Sequence, residues 1–300
     1  MGINGLWNLI KDIPQRHTLL DFAKINGFSY ASGTHGVQHI GVDISTLMNQ
    51  NITFINPSQK PYAFNPDKPL VNFFYQLCRF SKAPVVFIFV FDGPERPNIK
   101  HQHKINTQSV PWWTEPCKEI IEAFGFYSHQ APGEAEAELA AMNNAGIISA
   151  VLGPDSDSFA FGAKTVMRRY KMLETYGVTR NGIVLVALIS GGDYCKGVER
   201  IGAVNAAALA RGGFGDSLEK GFRDNSQQEL VHFLRTWSQE LAHELKTNSL
   251  GLLAGKRPSM ADILLSDSVF PDVKAIDLYF NPVTSTWSPP SADSSDAVAA

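Results

Sequence analysis

Three short apolar runs, each leading into an acid, constrain this chain more than any other feature. HIGVDIS carries Asp43, PVVFIFVFDGP runs from Val85 to Phe91 into Asp92, and IISAVLGPDSD ends in Asp155 and Asp157. Runs that do not alternate apolar with polar residues are strands buried on both faces, the pattern of a parallel sheet. Helical stretches lie between them, PLVNFFYQLCRFSK and TEPCKEIIEAFGF among them. This alternation predicts an α/β fold, a mainly parallel sheet flanked by helices. In such sheets the functional crevice opens outside the carboxyl ends of the strands. An Asp after one strand is an ordinary turn residue. Acids after three strands in succession read as a site.

The acids thicken further along the chain. Between Ala131 and Gly162 stand Glu134, Glu136, Glu138, Asp155 and Asp157, without one Lys or Arg. Acids in a helix's first turn complement its dipole, and Pro132 suits the first helical position, so Glu134 and Glu136 have an ordinary reading too. Residues i and i+2 diverge around a helix, so the two reach one site only if Glu134 lies at its frayed start. A last acid, Asp193, follows an apolar helix expected over Ile183 to Ser190, in LISGGDYCKGVERIGAVNAAALAR. That helix, glycine-marked loop and second helix form either a plain helical hairpin or a phosphate-binding surface.

Carboxylates crowded together raise one another's pKa unless cations offset them. Hard oxygen ligands in this number point to Mg²⁺ or Mn²⁺, and zinc-type His/Cys spacing is absent. Two such ions roughly 4 Å apart clamp the attacking and leaving oxygens of a phosphodiester. The acids alone therefore suggest metal-dependent phosphoryl hydrolysis.

Composition sets the bounds. The 300 residues are 44% apolar and 18% charged, which reads as a soluble globular protein with chain enough for a real core. A formal net charge of −3 argues mildly against nucleic acid, although a local acidic cluster can mask a basic face elsewhere. Cys78, Cys117 and Cys195 are scattered and read as free thiols in a reducing compartment. No secretory apolar segment or membrane-spanning run is apparent, so no membrane partner is expected. MGINGL lacks a myristoylation site's hydroxyl residue, having Leu6 instead. Ser285 to Ala300 reads as a disordered tail.

MGINGLW, VDIS, VFDGPERPNIK, APGEAEAELA, DSDSFAFGAKTVMR and SGGDYCKGVERIG follow in order from Met1 to about Arg211. In this the chain resembles the flap endonuclease/XPG-type structure-specific nucleases, and among them is most similar to fungal Gen-like members, whose eukaryotic relatives resolve Holliday junctions. The resemblance implies a PIN-like nuclease core. It implies that Asp43, Asp92, Glu134, Glu136, Asp155, Asp157 and Asp193 are catalytic and hold two Mg²⁺ ions, with Mn²⁺ as a substitute. Glu138 matches no metal position and is expected to be a surface acid. Gly2 matches a glycine that packs beside the site. Lys100 matches a lysine on the scissile phosphate, with a lone solvated side chain as its ordinary reading, and Lys104, taken as one helical turn on, is a weaker contact to the same strand. Ile183 to Arg211 resembles a helix–two-turn–helix that grips duplex DNA through backbone groups and a K⁺ ion, with Gly197 and Gly202 in its turns. Arg168 matches a family arginine of structural or catalytic role.

Two departures accompany the resemblance. Only the 41 residues 93–133 separate Asp92 from Glu134, short for an arch that threads a free 5′ end. In HQHKINTQSVPWW, Trp112 or Trp113 either stacks on a base or packs into the fold. Beyond Arg211, LEKGFRDNSQQELVHFLRTWSQELAHEL reads as amphipathic helix. The expected organisation is a nuclease core over 1–248. Within it fall an N-terminal region over 1–105, an internal region over 128–248 and the helix–two-turn–helix at about 183–211. An extension over 249–284 and the tail 285–300 follow. The expected function is structure-specific cleavage of branched or flapped DNA in the nucleus, in repair or recombination, with dimerisation on four-way junctions. The alternatives are a 5′ exonuclease or RNase-like relative, or a non-catalytic nucleic acid-binding scaffold on a decayed nuclease fold.

Overall fold

The computed structural model describes residues 2–9, 15–16, 19–27, 37–55, 65, 67–100, 103–107, 109–168, 171–174 and 178–288. Its strands are β1 (Gln15–Arg16), β2 (Gln38–Asp43), β3 (Val85–Phe91), β4 (Ile99–Lys100), β5 (His103–Lys104), β6 (Tyr127–Gln130), β7 (Ala150–Leu152), β8 (Thr165–Arg168) and β9 (Lys171–Glu174). The first seven helices are α1 (Leu6–Leu9), α2 (Leu19–Gly27), α3 (Ile44–Ile55), α4 (Asp67–Phe80), α5 (Thr114–Ala123), α6 (Ala135–Asn144) and α7 (Asp157–Ala160). The rest are α8 (Arg180–Ser190), α9 (Ala203–Arg211), α10 (Phe214–Asp224), α11 (Gln227–Thr247), α12 (Pro258–Ser266) and α13 (Val273–Phe280).

The main sheet has the order β1-β9-β8-β7-β2-β3-β6. From β8 to β6 the strands run parallel, and β9 and β1 close one edge antiparallel. The apolar runs β7, β2 and β3 are adjacent at its centre, where both faces need covering. On one face α3, α4 and α5 pack Met48, Phe73, Leu77 and Ile121 against Phe87 and Phe89. On the other, α6 and α8 pack Leu139, Val184 and Leu188 with Ile88 and Val90. Phe73, Phe87 and Phe89 are fully buried, and each such side chain contributes about 1.5–3 kcal/mol of transfer free energy. Gly41 admits α6 to the sheet: a Cβ there would lie 2.3 Å from Leu139 Cδ2.

The register puts the acids on one rim. Asp43, the last residue of β2, pairs with Val90, and Asp92 stands two residues beyond it. Leu152 of β7 pairs with Val42, so Asp155 and Asp157 overhang the same edge.

Four local expectations are corrected. Lys104 is not a helical turn from Lys100; β4 and β5 form an antiparallel pair in which Lys104 faces Ile99 and Lys100 faces His103. The helix before Asp193 begins at Arg180 rather than Ile183, because Thr179 Oγ1 accepts from Gly182 N and caps it. The long amphipathic stretch breaks into α10 and α11 at a capping box, in which Ser226 N donates to Glu229 Oε2 at 3.1 Å. Pro132 lies ahead of α6, whose N-cap is Glu134. Of the expected tail, residues 285–288 are described and 289–300 lie outside the described residues. No helix among the described residues is long and apolar enough to cross a membrane.

Candidate active site

Each acid arrives by a local device that the sequence encodes. Asp43 ends β2 and caps α3: its Oδ1 accepts from Ser45 N at 2.8 Å and Thr46 N at 3.3 Å, and its Oδ2 from Thr46 Oγ1 at 2.5 Å. Ser45 Oγ then donates to Asp92 Oδ2 at 2.8 Å, joining the two strand ends. Asp92 Oδ1 accepts from Ala135 N at 2.9 Å, which fixes the start of α6 beside β3. Glu134 occupies the N-cap of α6 with extended backbone and makes no side-chain cap bond, so its carboxylate swings clear of the helix. Glu136, inside the first turn, is buried. Asp155 Oδ1 accepts from Ser156 N at 2.8 Å, and Asp157 opens the short α7. Asp193 follows α8 and the left-handed Gly191, at φ +94°.

The acids meet in a buried knot. Glu136, Asp157 and Asp193 each offer a carboxylate oxygen within 4.8 Å of the others. Lys100 Nζ lies 3.2 Å from Glu134 Oε1, 3.3 Å from Glu136 Oε2 and 2.9 Å from Asp193 Oδ2. One ammonium thus supplies the positive charge that the segment from Ala131 to Gly162 lacks. Burial pulls against that charge, but Glu136, Glu134 and Asp193 outweigh it and hold the Lys100 pKa above the ordinary lysine range.

One ammonium does not balance the cluster. Burial, then Asp92, pushes Asp43 up to about 6. Burial and the neighbouring Asp155, Asp157 and Asp43 raise Glu136 despite Lys100. Burial with Asp193 and Asp155 raises Asp157, and burial with Asp193 raises Asp155. Both Asp157 oxygens are buried without a hydrogen-bond donor of good geometry among the described residues. An all-oxygen donor set, unmet by donors and strained toward protonation, fits a hard divalent cation.

The remaining candidates separate. Gly2, at φ +90°, lies against the site, where a Cβ would come 2.0 Å from Asp155 Oδ1. Ile3 N donates to Ser156 Oγ at 3.0 Å, and Asn4 N to Gly191 O at 2.9 Å, so the N-terminal segment ties the Asp155 loop to the Asp193 turn. Gly197, at φ +78°, is required: a Cβ would lie 2.4 Å from Gly191 N. Gly202 is not required by its turn, since its φ is −83° and nothing lies within 4 Å of a Cβ there. Lys104 is exposed on the hairpin, and the Arg168 guanidinium stacks 4.3 Å from the Trp7 ring. Trp113 packs, buried, near Phe91 at 6.5 Å, while Trp112 is 45% exposed.

Glu138 is no surface acid. It is fully buried and accepts from His129 Nε2, Ser285 N and Trp287 Nε1 at 2.8–2.9 Å. Burial would raise its pKa, but these donors outweigh burial and hold it below the ordinary range, opposite in sign to Glu136. Sequence reading also passes over Tyr194, whose hydroxyl donates to Glu134 Oε2. Its place directly after Asp193 is the available signal.

The sequence pattern of the XPG N-terminal domain matches residues 1–109, and that of the XPG I-region matches residues 125–188. The first span includes Asp43 and Asp92, and the second Glu134, Glu136, Asp155 and Asp157; Asp193 lies beyond both. The chain belongs to the XPG/flap endonuclease family. Within it the chain is Gen-like: it is 28% identical over 251 residues to Flap endonuclease GEN-like 1 of Arabidopsis thaliana, covering 70% of this chain and 39% of that protein. The chain thus spans about two-fifths of that relative's length. The Holliday junction-resolving enzyme GEN1, solved with product DNA and Mg²⁺, superposes with a TM-score of 0.69 at 27% identity, over 95% of this chain and 66% of that one. A eukaryotic junction-resolving enzyme GEN-1 solved with potassium gives 0.69 at 28%, with the same two coverages.

Proposed function

We propose that this XPG-family chain is a metal-dependent structure-specific DNA endonuclease. It would hydrolyse phosphodiester bonds at flaps, bubbles or four-way junctions. The observation that carries the reading is the buried knot of Glu136, Asp157 and Asp193, whose oxygens lie within 4.8 Å of one another and whose charge one lysine leaves unbalanced. Asp43, Asp92, Glu134 and Asp155 widen that knot into a donor set for two Mg²⁺ ions, or Mn²⁺ in their place. Ions held there would make an attacking water more acidic and would stabilise the charge on the leaving oxygen.

The chain's own residues do the rest. Ser45 holds Asp43 and Asp92 in one orientation, and Tyr194 does the same for Glu134. Lys100 stands at the mouth of the cluster, a quarter exposed, where its ammonium can turn from the carboxylates to an entering phosphate. The α8–α9 module presents the backbone of residues 191–202 toward a duplex, and phosphate contacts there position DNA without reading sequence. A K⁺ ion at this turn is part of the proposal, supported by the GEN-1 relative solved with potassium. Action in the nucleus, and dimerisation on four-way junctions, are proposed from family likeness.

Labelled flap, bubble, nicked duplex and four-way junction DNA, incubated with Mg²⁺ or with EDTA, test the reading. Incision confined to branched substrates and abolished by EDTA is expected. Binding without incision in any divalent cation would return the chain to a scaffold role.

A further inference from the structure

The segment after α13 reaches back to the helix that carries two of the acids. Ser285 N and Trp287 Nε1 donate to the Glu138 carboxylate at 2.8 and 2.9 Å, and the Trp287 ring meets His129 edge-on at 5.2 Å. Glu138 stands one helical turn beyond Glu134, and Glu138 N donates to Glu134 O at 3.1 Å. On the other side of Glu134, Gly133 packs so closely on this segment that a Cβ would lie 2.5 Å from Val283 O. A third contact comes from the end of α13: the Tyr279 ring lies 4.8 Å from Tyr194, whose hydroxyl donates to Glu134. Residues 279–287 therefore bracket the first turn of α6.

That turn needs holding. Glu134 and Glu136 face buried acids, and like charges in a low dielectric push apart. The N-cap contributes no side-chain bond of its own to resist this. We infer that Glu138 is a positioning residue: with Ser285 and Trp287 it straps the first turn of α6 in place, so that Glu134 and Glu136 stay where a divalent cation needs them. This rests on the metal-centre reading above.

The test uses the whole chain carrying Glu138→Gln, Trp287→Phe or Glu244→Gln. The Trp287→Phe change keeps an aromatic ring near His129 and removes the N–H donor, with a smaller loss of packing surface that melting reports. Glu244, on α11, is another buried glutamate, accepts from Leu250 N and serves as the control. Mg²⁺ binding is measured by calorimetry without DNA, alongside melting in EDTA and cleavage across a Mg²⁺ titration. Partners that hydrogen-bond metal ligands directly typically change affinity about 10–100-fold, and Glu138 acts one step further out, so Mg²⁺ binding weakened by up to about tenfold is expected for Glu138→Gln and a smaller loss for Trp287→Phe. DNA affinity should hold, and cleavage should recover at saturating Mg²⁺. Glu244→Gln should lower the melting temperature and leave Mg²⁺ binding unchanged. Wild-type Mg²⁺ affinity in both strap variants, or an equal loss in Glu244→Gln, overturns the strap's role. If Glu138→Gln does not fold, Trp287→Phe decides. A wild-type chain that binds no Mg²⁺ overturns the metal reading and the strap with it.

Discussion

Lys100 Nζ lies 2.9 Å from Asp193 Oδ2, bringing the hairpin beyond β3 and the turn after α8 together across the acid knot. The same ammonium reaches Glu134 and Glu136, so it offsets part of the charge that a bound cation would meet. Replacing it should therefore have effects of opposite sign on metal and on chemistry. Lys100→Ala is expected to bind Mg²⁺ more tightly, because a competing cation is gone. It should also slow single-turnover cleavage about a hundredfold, since charge at the reacting phosphate counts most in the transition state. Calorimetry and single-turnover kinetics check the pair. Weakened DNA binding at an unchanged rate would make Lys100 a docking residue.

Asp157→Ala should abolish cleavage and spare DNA binding. Among the described residues its two oxygens meet acids and no basic or backbone donor, which suits the cation-holding role proposed for it. Loss of a ligand from a two-metal site should cost several kcal/mol of barrier, roughly three to five decades of rate. Near wild-type turnover at saturating Mg²⁺ would remove Asp157 from the centre.

The metal-free protein should lose stability as pH rises. Asp43 is raised in the folded state from 3.8 to about 6, and Glu136, Asp155 and Asp157 shift the same way. A group raised on folding favours the fold fully below its unfolded pKa, and that contribution is lost as pH climbs through the folded value. In EDTA the melting temperature should fall from about pH 4 through about pH 6, and Mg²⁺ should abolish the fall at the upper end. A profile unchanged by Mg²⁺ would contradict a cation among these carboxylates.

Gly202→Leu should fold normally, because its backbone is ordinary and the space beyond its Cα is open. If a duplex backbone lies there, binding should weaken equally across DNA sequences. Gly197→Ala, strained and blocked by backbone, should instead lower the melting temperature. Filter binding on two unrelated duplexes, with melts of both variants, separates the cases.

A flap whose 5′ end is blocked by a bulky adduct should still be cut, and closed four-way junctions should be incised. The 41 residues 93–133 must also supply the β4–β5 hairpin, α5 and β6, leaving little chain to close a threading hole. Failure on both substrates would restore threading.

The centre of the fold was legible because β3, β7 and the Ile40–Val42 stretch of β2 lie in the covered middle of the sheet and so are apolar. β6, reading YSHQ, was not, since an edge strand needs no such run, and β8, reading TVMR between β7 and β9, is too short to show one. Among the acids, residue type and strand-end position pointed to Asp43, Asp92, Asp155 and Asp157. Glu138 was misread because two of its donors, Ser285 and Trp287, come from the far end of the described chain, a contact that no local pattern encodes. Lys104 was misread because a four-residue spacing suits a helix and a hairpin equally.

The knot draws on residues from Asp43 to Asp193, and its central strand β2 pairs with β3 and β7, both of which follow it by long stretches of chain. Contacts this distant in sequence form slowly, since the loops between them must close first. A ribosome releasing the chain therefore delivers Asp43, Asp92 and the glutamates well before Asp193 and Tyr194 can join them. An interrupted synthesis product would carry most of the acids and no working centre. Completion of the proposed centre therefore waits until nearly two-thirds of these residues have emerged, and the strap from residues 279–287 joins later still.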